Sequence, residues 1–188
     1  QYYQHQNLAI EADWSNAAFW YGAKFLGCPV EIGGLDQASV QGDRAIAGFY
    51  EQMGGAGRLE LDVSQCPDLV PPLAAMAALR AGETTAIVNA GRLRIKESDR
   101  LATVTEVLNA LGAQVEEHED HLVIRGREKL AGGVTVSGHN DHRIAMMAAI
   151  AAIRCEKPVT IIGAECVKKS YPRFWEDYEA LGGLVQKT

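Results

Sequence analysis

The sequence is poor in the features that mark several large classes of protein. Its 4 cysteines form no CxxC pair, and no group of cysteine and histidine has the spacing of zinc ligands. No apolar run approaches the roughly 18 residues of a membrane-spanning helix, and a net charge of −6 leaves no basic excess for nucleic acid or anionic membranes. We therefore expect a reduced, cytoplasmic protein with free thiols and no metal or other cofactor, which binds neither nucleic acid nor membranes.

An initiator methionine and a recognisable signal peptide are also missing. The sequence begins with Gln1 and reads like an internal segment, so we expect it to be a piece of a longer chain. Apolar residues make up 47% and charged residues 22%, which is ordinary globular composition. No stretch rich in proline, glycine or serine divides the chain, which favours a single domain over residues 1–188.

Helical and strand patterns alternate along the chain, which predicts an α/β architecture. The predicted helices cover residues 17–26, 45–53, 73–79, 101–111, 144–153 and 174–180. The predicted strands cover residues 29–32, 58–63, 84–88, 114–117, 121–125 and 158–162. These elements fall into three similar passes, the first of them shortened, as in an internal repeat. Gly54, Gly112 and Gly182 each end a predicted helix, and we expect them to be C-cap residues with positive φ.

The segment LRIKESDRL at residues 93–101 carries cations where a helix is predicted to begin. Lys96 and Arg100 are four residues apart and would repel each other on one helix face. If Ser98 instead caps the helix, Arg100 lies in the first turn, where the helix dipole disfavours a cation. A bound anion would relieve either arrangement. Taken alone, the segment also fits a solvated, charged helix start.

Cations recur at two more predicted helix starts. Arg143 follows a cap at Asn140 or Asp141, and Lys169 lies just before the last helix. A further helix opens with a carboxylate, that of Asp68. Recurrence in a repeated unit predicts that these helix ends converge on one anion-binding site.

The residues of this predicted site divide into ligands and proton carriers. The expected anion ligands are Arg100, Arg143 and Lys169. The candidate proton carriers are Asp68, Lys96 and Glu97. For other polar residues we expect structural roles: hydrogen bonding for His139 and His142, a buried thiol for Cys166, a surface pair for Asp43 and Arg44, and a helix cap for Asp13.

Three of these segments together resemble the 5-enolpyruvylshikimate-3-phosphate synthase family: residues 93–101, NDHRIAM at 140–146 and CVKKSYP at 166–172. VQGD at 40–43 and CPD at 66–68 also match in family order, so the similarity covers nearly the whole chain. The resemblance implies a two-lobed enzyme whose lobes are inside-out α/β prisms of three βαβαββ units, with helix N-termini facing the cleft. It also implies that this chain is the C-terminal lobe only, with one hairpin missing from its first unit.

By resemblance, the reaction transfers the enolpyruvyl group of phosphoenolpyruvate to the 5-hydroxyl of shikimate-3-phosphate and releases phosphate through a tetrahedral intermediate. Asp68 matches the residue that contacts the 5-hydroxyl and accepts its proton, whereas Glu97 matches the proton donor. Lys96 matches a ligand of shikimate phosphate. Residues that match phosphoenolpyruvate ligands are Arg100, Arg143 and Lys169. The last of these, Lys169, is also a candidate acid for the departing phosphate.

The resemblance further implies a monomer that uses no cofactor. Other phosphate ligands, including a Ser-Ser-Gln stretch, belong to the N-terminal lobe of the family, so we expect the isolated lobe to be inactive. Arg92 stands where many relatives contact shikimate phosphate, and that role is not transferred to it. Two alternatives are a UDP-N-acetylglucosamine enolpyruvyl transferase, against which the spacing of Lys96 and Arg100 argues, and a non-catalytic domain of this fold that binds anions or a partner.

Overall fold

The computed structural model describes residues 10–187, so the opening Gln1, on which the expectation of an internal start rests, lies outside them. Within the described residues, helices and short strands alternate, which confirms the α/β class. The helices are α1 (Trp14–Phe25), α2 (Ile46–Met53), α3 (Val70–Ala78), α4 (Arg100–Leu111), α5 (His142–Ala152) and α6 (Phe174–Ala180). The strands are β1 (Leu59–Asp62), β2 (Thr84–Val88), β3 (Gln114–Glu117), β4 (Leu122–Arg125), β5 (Leu130–Gly132), β6 (Thr135–Ser137), β7 (Cys155–Lys157) and β8 (Thr160–Ile162).

The strands form one mixed sheet and two short parallel pairs. The mixed sheet has the order β1-β2-β4-β3, with β1 parallel to β2 and the other pairs antiparallel. Helix α3 connects β1 to β2, and α4 connects β2 to β3, so the complete order β-α-β-α-β-β occurs over residues 59–125. Helix α5 likewise links β5 and β6 to their parallel partners β7 and β8.

The first pass differs from the prediction. No strand forms at residues 29–32 in the described structure, where Val30 N donates to Cys28 O instead of to a neighbouring strand. Only residues 54–58 separate α2 from β1, which leaves no room for a hairpin between them. The β-α-β-α-β-β order is therefore complete in the second pass only, and a threefold repeat stays a prediction.

Two alanine-rich helices form the centre of the described structure. All nine residues of α3 are buried, as is every residue of α5 except the last, and the two helices pack against each other. Small side chains permit this close approach. The mixed sheet turns one face inwards: in β1, Leu61 is buried while Glu60 and Asp62 are exposed. The helices thus lie inside and the sheet outside.

The helix ends follow the expected chemistry with one exception. Asp13 caps α1, since its side chain accepts hydrogen bonds from the amides of the first turn. Gly112 and Gly182 have φ of 103° and 95°, as predicted for residues after a helix. Gly54 is the C-cap of α2, as predicted, but its φ of −71° is right-handed and not positive. Among the described residues, no helix has both the length and the apolarity to cross a bilayer.

Candidate active site

Helix α4 places its first residue, Arg100, in the middle of a charged cluster. Arg100 is almost fully buried, with 1% of its surface exposed. Its Nε donates to Asp141 Oδ2 at 2.8 Å, Nη1 to Asp68 Oδ1 at 2.8 Å, and Nη2 to Glu97 Oε2 at 2.6 Å. The anion that the sequence pattern requires at this helix start is therefore supplied, in this structure, by three carboxylates of the protein itself.

The cap of α4 is Asp99 and not Ser98. The Asp99 carboxylate accepts a hydrogen bond from Ala102 N at 3.2 Å. Ser98 Oγ instead donates to Asp141 Oδ2 at 2.9 Å, so it supports the buried carboxylate that binds Arg100.

Asp68 is the second centre of the cluster. It lies in the 3-10 turn Pro67–Leu69 that precedes α3. Its Oδ1 is 3.2 Å from Lys96 Nζ, and its Oδ2 is 3.4 Å from Arg143 Nη2. Burial alone would raise the pKa of the Asp68 carboxyl, but Arg143, Lys96 and Arg100 together hold it below its usual value. Asp68 is therefore an ionised carboxylate at neutral pH, and it is still partly exposed.

Helix α5 contributes Asp141 as its cap and Arg143 in its first turn. Asp141 is fully buried and accepts a hydrogen bond from Arg143 N at 3.0 Å. Burial would raise the pKa of Asp141, but its bonds with Arg100 hold that pKa below the usual value. Sequence reasoning identified Asp141 only as a possible helix cap and missed its contact with Arg100, which is 41 residues away along the chain.

Lys169 is the one predicted site residue that makes no ion pair with the others in the described structure. It ends the 3-10 helix Ala164–Lys169, which packs against α5. Its Nζ donates to Asn140 O at 2.6 Å and to Asn140 Oδ1 at 2.8 Å. Because Asn140 directly precedes the cap of α5, Lys169 borders the charged cluster without entering it.

We call the six interacting residues the ion-pair cluster: Asp68, Lys96, Glu97, Arg100, Asp141 and Arg143. It contains three cations and three carboxylates, so its formal charge is zero. Strong binding of an added anion therefore requires either further cations or displacement of a carboxylate from its cation. Within residues 10–187, no three His, Cys, Asp or Glu side chains are grouped so as to hold a metal ion.

Asp43 and Arg44 do not form the predicted surface pair. Asp43 is buried and accepts a hydrogen bond from Ser15 Oγ, whereas Arg44 Nη1 donates to Gln37 O. Burial raises the pKa of Asp43, although Ser15 and the charge of Arg143 partly counteract it. Its electrostatic coupling to Arg143 places Asp43 beside the ion-pair cluster.

The glycine of the VQGD segment explains how Asp43 reaches this position. A Cβ on Gly42 would come within 2.5 Å of Gln65 O, so only glycine lets the 3-10 turn Gly42–Ala45 approach the chain that leads into Asp68. The close approach was not visible in the sequence, although the segment itself matches the family motif.

The two histidines near Arg143 do not make the hydrogen bonds that were predicted for their rings. His142 is buried, and its Nδ1 has no hydrogen-bond partner among the described residues. Burial, reinforced by the charge of Arg143, lowers the pKa of His142, so its ring is neutral at neutral pH. His139 Nε2 lies 3.3 Å from Glu106 Oε1 without the geometry of a hydrogen bond. Cys166 is buried as expected, and burial raises the pKa of its thiol.

Comparisons with known proteins identify the family of this chain. The family model of EPSP synthase (3-phosphoshikimate 1-carboxyvinyltransferase) matches residues 1–178. A 3-phosphoshikimate 1-carboxyvinyltransferase of Clostridium acetobutylicum is 51% identical over 191 residues, covering 95% of this chain and 44% of the relative. A relative of the same name from Clostridium kluyveri is 48% identical over 202 residues, covering 100% and 47%. The solved EPSP synthase of Acinetobacter baumannii has a TM-score of 0.79 at 26% identity, covering 92% and 46%.

The chain spans slightly less than half the length of these relatives. The alignment with the C. kluyveri protein runs over 202 positions, 14 more than the 188 residues of this chain, so that relative has additional residues inside the matched region. The family model nevertheless accounts for almost the entire chain, and the relatives found by sequence and the solved Acinetobacter structure are members of the same family. The chain therefore belongs to the EPSP synthase (3-phosphoshikimate 1-carboxyvinyltransferase) family.

Proposed function

We propose that residues 1–188 form a single domain, the C-terminal lobe of a two-lobed enzyme that transfers the enolpyruvyl group of phosphoenolpyruvate to the 5-hydroxyl of shikimate-3-phosphate and releases phosphate. The observation that carries this proposal is the ion-pair cluster, in which the starts of α3, α4 and α5 bring acidic and basic side chains into contact. Acid–base chemistry on an anionic substrate requires acidic and basic side chains that are already positioned before the substrate binds.

Asp68 is the proposed acceptor of the proton from the 5-hydroxyl. Its depressed pKa keeps it ionised, and its partial exposure leaves it accessible to substrate. Lys96, which contacts Asp68 Oδ1 in this structure, is the proposed ligand of the shikimate phosphate. A lysine that bridges the phosphate and the catalytic carboxylate would hold the 5-hydroxyl of shikimate-3-phosphate at hydrogen-bond distance from Asp68.

Arg100 and Arg143 are the proposed ligands of phosphoenolpyruvate. Arg100 binds Asp68 and Glu97 through Nη1 and Nη2, so the anionic groups of the substrate would replace carboxylates at these atoms. Glu97, released from Arg100 and exposed over 43% of its side chain, is the proposed donor of a proton to the methylene carbon. Protonation there makes the adjacent carbon electrophilic towards the hydroxyl oxygen, and both arginines offset the charge of the tetrahedral intermediate.

Lys169 is the proposed third ligand of phosphoenolpyruvate and the acid for the departing phosphate. As the bond to phosphate breaks, the Glu97 carboxylate left by the first proton transfer would take a proton back from the methyl group and so restore the double bond. In this structure Lys169 Nζ binds Asn140, so the role requires the amine to leave that residue. Asn140 directly precedes Asp141, the cap of α5, so the amine starts from the border of the ion-pair cluster.

The second lobe is the proposed main partner of this chain. Since the cluster has no net charge, further cations must come from outside it before two anionic substrates are held firmly. We therefore propose that the 188 residues alone have no measurable synthase activity, and that the assembled enzyme is a monomer with no cofactor. All four cysteines are free, which supports a reducing compartment such as the cytoplasm.

Complementation by a second lobe tests this function. The chain would be mixed or co-expressed with the N-terminal half of the C. acetobutylicum relative, and phosphate release would be measured with both substrates present. We expect no release by either half alone, release by the pair, and none when UDP-N-acetylglucosamine replaces shikimate-3-phosphate. Glu97→Gln should lower the rate on the order of 10²-fold or more, whereas Glu116→Gln, on an exposed pair with Arg125, should not. Release well above blank by the chain alone would contradict the proposed division of the site.

A further inference from the structure

We propose that Arg94 is a positioning residue that fixes the segment of residues 94–99, which carries Lys96 and Glu97. This inference rests on the proposed function of those two residues. Within the described residues, Arg94 forms no ion pair with a member of the ion-pair cluster. It acts from outside the cluster, through Asp99, the cap of α4.

The guanidinium of Arg94, at the start of the segment, binds Asp99 at its end. Nη1 donates to Asp99 Oδ2 at 2.9 Å, which closes a loop over residues 94–99 that contains Lys96 and Glu97. The other carboxylate oxygen of Asp99 caps α4 by accepting from Ala102 N. One guanidinium therefore sets the position of the cap, and through it the direction in which α4 presents Arg100.

The same guanidinium also connects this loop to the β3–β4 hairpin by hydrogen bonds. Nη1 also donates to Glu117 Oε1 at 2.8 Å, Nη2 to His118 O at 2.7 Å, and Nε to Glu119 O at 2.8 Å. Ala90 N donates to the next carbonyl of the hairpin, Asp120 O, at 2.7 Å. The hairpin tip thus holds the 3-10 helix Gly91–Ile95 at both ends, and the sheet becomes the support of the proposed catalytic segment.

Few other contacts hold this segment in place. Leu93 before it and Leu101 after it are fully buried, but Ile95 between them is 87% exposed and adds little packing. Ser98 Oγ, which donates to Asp141 Oδ2 and lies 3.2 Å from Thr103 Oγ1, is a further polar attachment of the segment. Without the Arg94 contacts, Lys96 and Glu97 would lie on a loop fixed mainly by their bonds to Asp68 and Arg100, which are the bonds that substrates are proposed to replace.

The geometry requires arginine. Three nitrogens of one planar group serve two carboxylates and two carbonyls that lie in different directions, and a lysine amine cannot reproduce this fork. The electrostatic value of the exposed ion pairs is small, so the main effect of losing Arg94 should be on geometry and not on global stability.

The first test uses the 188-residue chain alone and is independent of catalysis. Amide hydrogen exchange would be compared between wild type, Arg94→Gln and the control Arg173→Gln, which removes an exposed arginine paired only within α6. Arg94→Gln should speed exchange of the Ala90 and Ala102 amides on the order of tenfold and leave that of Ile87, in the middle of the sheet, unchanged. Equal exchange at Ala90 and Ala102 in wild type and Arg94→Gln would overturn the proposed support.

The second test uses the complemented two-lobe enzyme. Arg94→Gln should lower kcat on the order of 10- to 100-fold, the loss expected for misplaced catalytic groups, with a far smaller change in the KM for either substrate and little change in Tm. Asp99→Asn keeps a capping side chain but removes the charge that binds Arg94, and should cause a similar loss. If both residues act together, the double variant should be no slower than the slower single variant, and Arg94→Lys should not restore kcat.

The outcomes separate the two proposals. Unchanged kcat in Arg94→Gln, or independent losses that multiply in the double variant, would overturn the positioning role. If Arg94→Gln fails to fold, Glu117→Gln weakens one of the three hairpin contacts of Arg94 while keeping the Arg94–Asp99 pair, and it should give a partial loss of kcat. If the wild-type pair of lobes releases no phosphate, the proposed function fails, and with it the catalytic meaning of Arg94; hydrogen exchange would still decide whether Arg94 holds the segment.

Discussion

The burial of Arg100 makes each of its carboxylate partners important for stability. Asp141 is fully buried, and its carboxylate would be left without its principal cation if the guanidinium were removed. A buried charge left without its partner destabilises a protein strongly. By contrast, an intact buried ion pair adds little stability relative to a pair of neutral side chains. Arg100 is thus a structural residue as well as a proposed substrate ligand, and the two roles can be separated by measuring stability and activity independently.

We predict that Arg100→Met destabilises the chain by about 3–5 kcal/mol, because it leaves Asp141 charged and buried. Urea unfolding followed by circular dichroism would measure the change. The double variant Arg100→Met/Asp141→Asn should recover part of this loss, since it removes both charges. The control Arg173→Ala, in an exposed ion pair, should change stability by less than about 0.5 kcal/mol. A loss for Arg100→Met no larger than the control would contradict the buried pair.

Acid should lower the free energy of unfolding of the chain, partly through protonation of Asp68. Its folded pKa is depressed, so its contribution is present above the unfolded pKa of about 3.9 and is lost as the pH falls through the folded value. We expect wild type to exceed Asp68→Asn in free energy of unfolding by about 1–3 kcal/mol at pH 7. That difference should stay constant down to about pH 5 and shrink below about pH 4. A difference independent of pH from 7 to 2.5 would show that the carboxylate charge has no role.

At this scale the sequence selected residues that the structure brings into contact, but it did not predict which contacts they make. Cations at helix starts indicated an anion, and the motif match selected Arg100 and Arg143. The actual anions come from Asp68 and Asp141, which are 32 and 41 residues from Arg100 along the chain. Such pairings arise from the packing of helices, and helical periodicity carries no information about them. Arg94 escaped notice for the same reason, since three of its four acceptors lie in a distant hairpin.

Helix ends are the element-scale feature on which sequence and structure agree best. Gly112 follows α4 with a φ of 103°, and a Cβ there would lie 3.1 Å from Ala131 N. Gly54 follows α2 in an ordinary right-handed conformation. The same residue type, predicted from the same pattern, therefore has a conformational requirement at one position and none at the other.

We predict that Gly112→Ala destabilises the chain by about 1–2 kcal/mol, since alanine is strained at positive φ and has a close backbone neighbour. Gly54→Ala, the matched control, should be neutral or stabilising by up to about 1 kcal/mol, because alanine restricts the unfolded chain at no cost to this conformation. Thermal unfolding of both variants would measure the difference. A smaller loss for Gly112→Ala than for Gly54→Ala would contradict the assigned conformations.

Elements with a clear apolar pattern were predictable, including the four-residue strand β3, whereas three of the three-residue strands were not. The strand 84–88 and the helix 174–180 are found with the predicted bounds, because each has a clear apolar pattern between turn residues. β5, β6 and β7 have three residues each, too few for an alternating pattern to be recognised. The strand predicted at 29–32 has the right composition but finds no partner strand in the described structure, and strands exist only as pairs.

Over the whole molecule, the arrangement of charge accounts for the proposed dependence on a second lobe. The chain has a net charge of −6, and its ion-pair cluster contains equal numbers of cations and carboxylates. The long-range field therefore does not attract anions, and the local charges are already paired. Binding of phosphoenolpyruvate to this chain must compete with Asp68 and Glu97 for Arg100.

This competition leads to a prediction for the 188-residue chain alone. Asp68→Asn should bind phosphoenolpyruvate more tightly than wild type, on the order of tenfold, because it removes one competing negative charge beside three cations. Titration by isothermal calorimetry would measure the dissociation constants, and the gain should diminish at high salt as the charges become screened. Glu116→Gln, which removes an exposed carboxylate on β3, is the matched control and should leave the affinity unchanged. Equal affinity in Asp68→Asn and wild type would show that Asp68 does not compete with the substrate, and that the weakness of the isolated lobe has another source than its balanced charges.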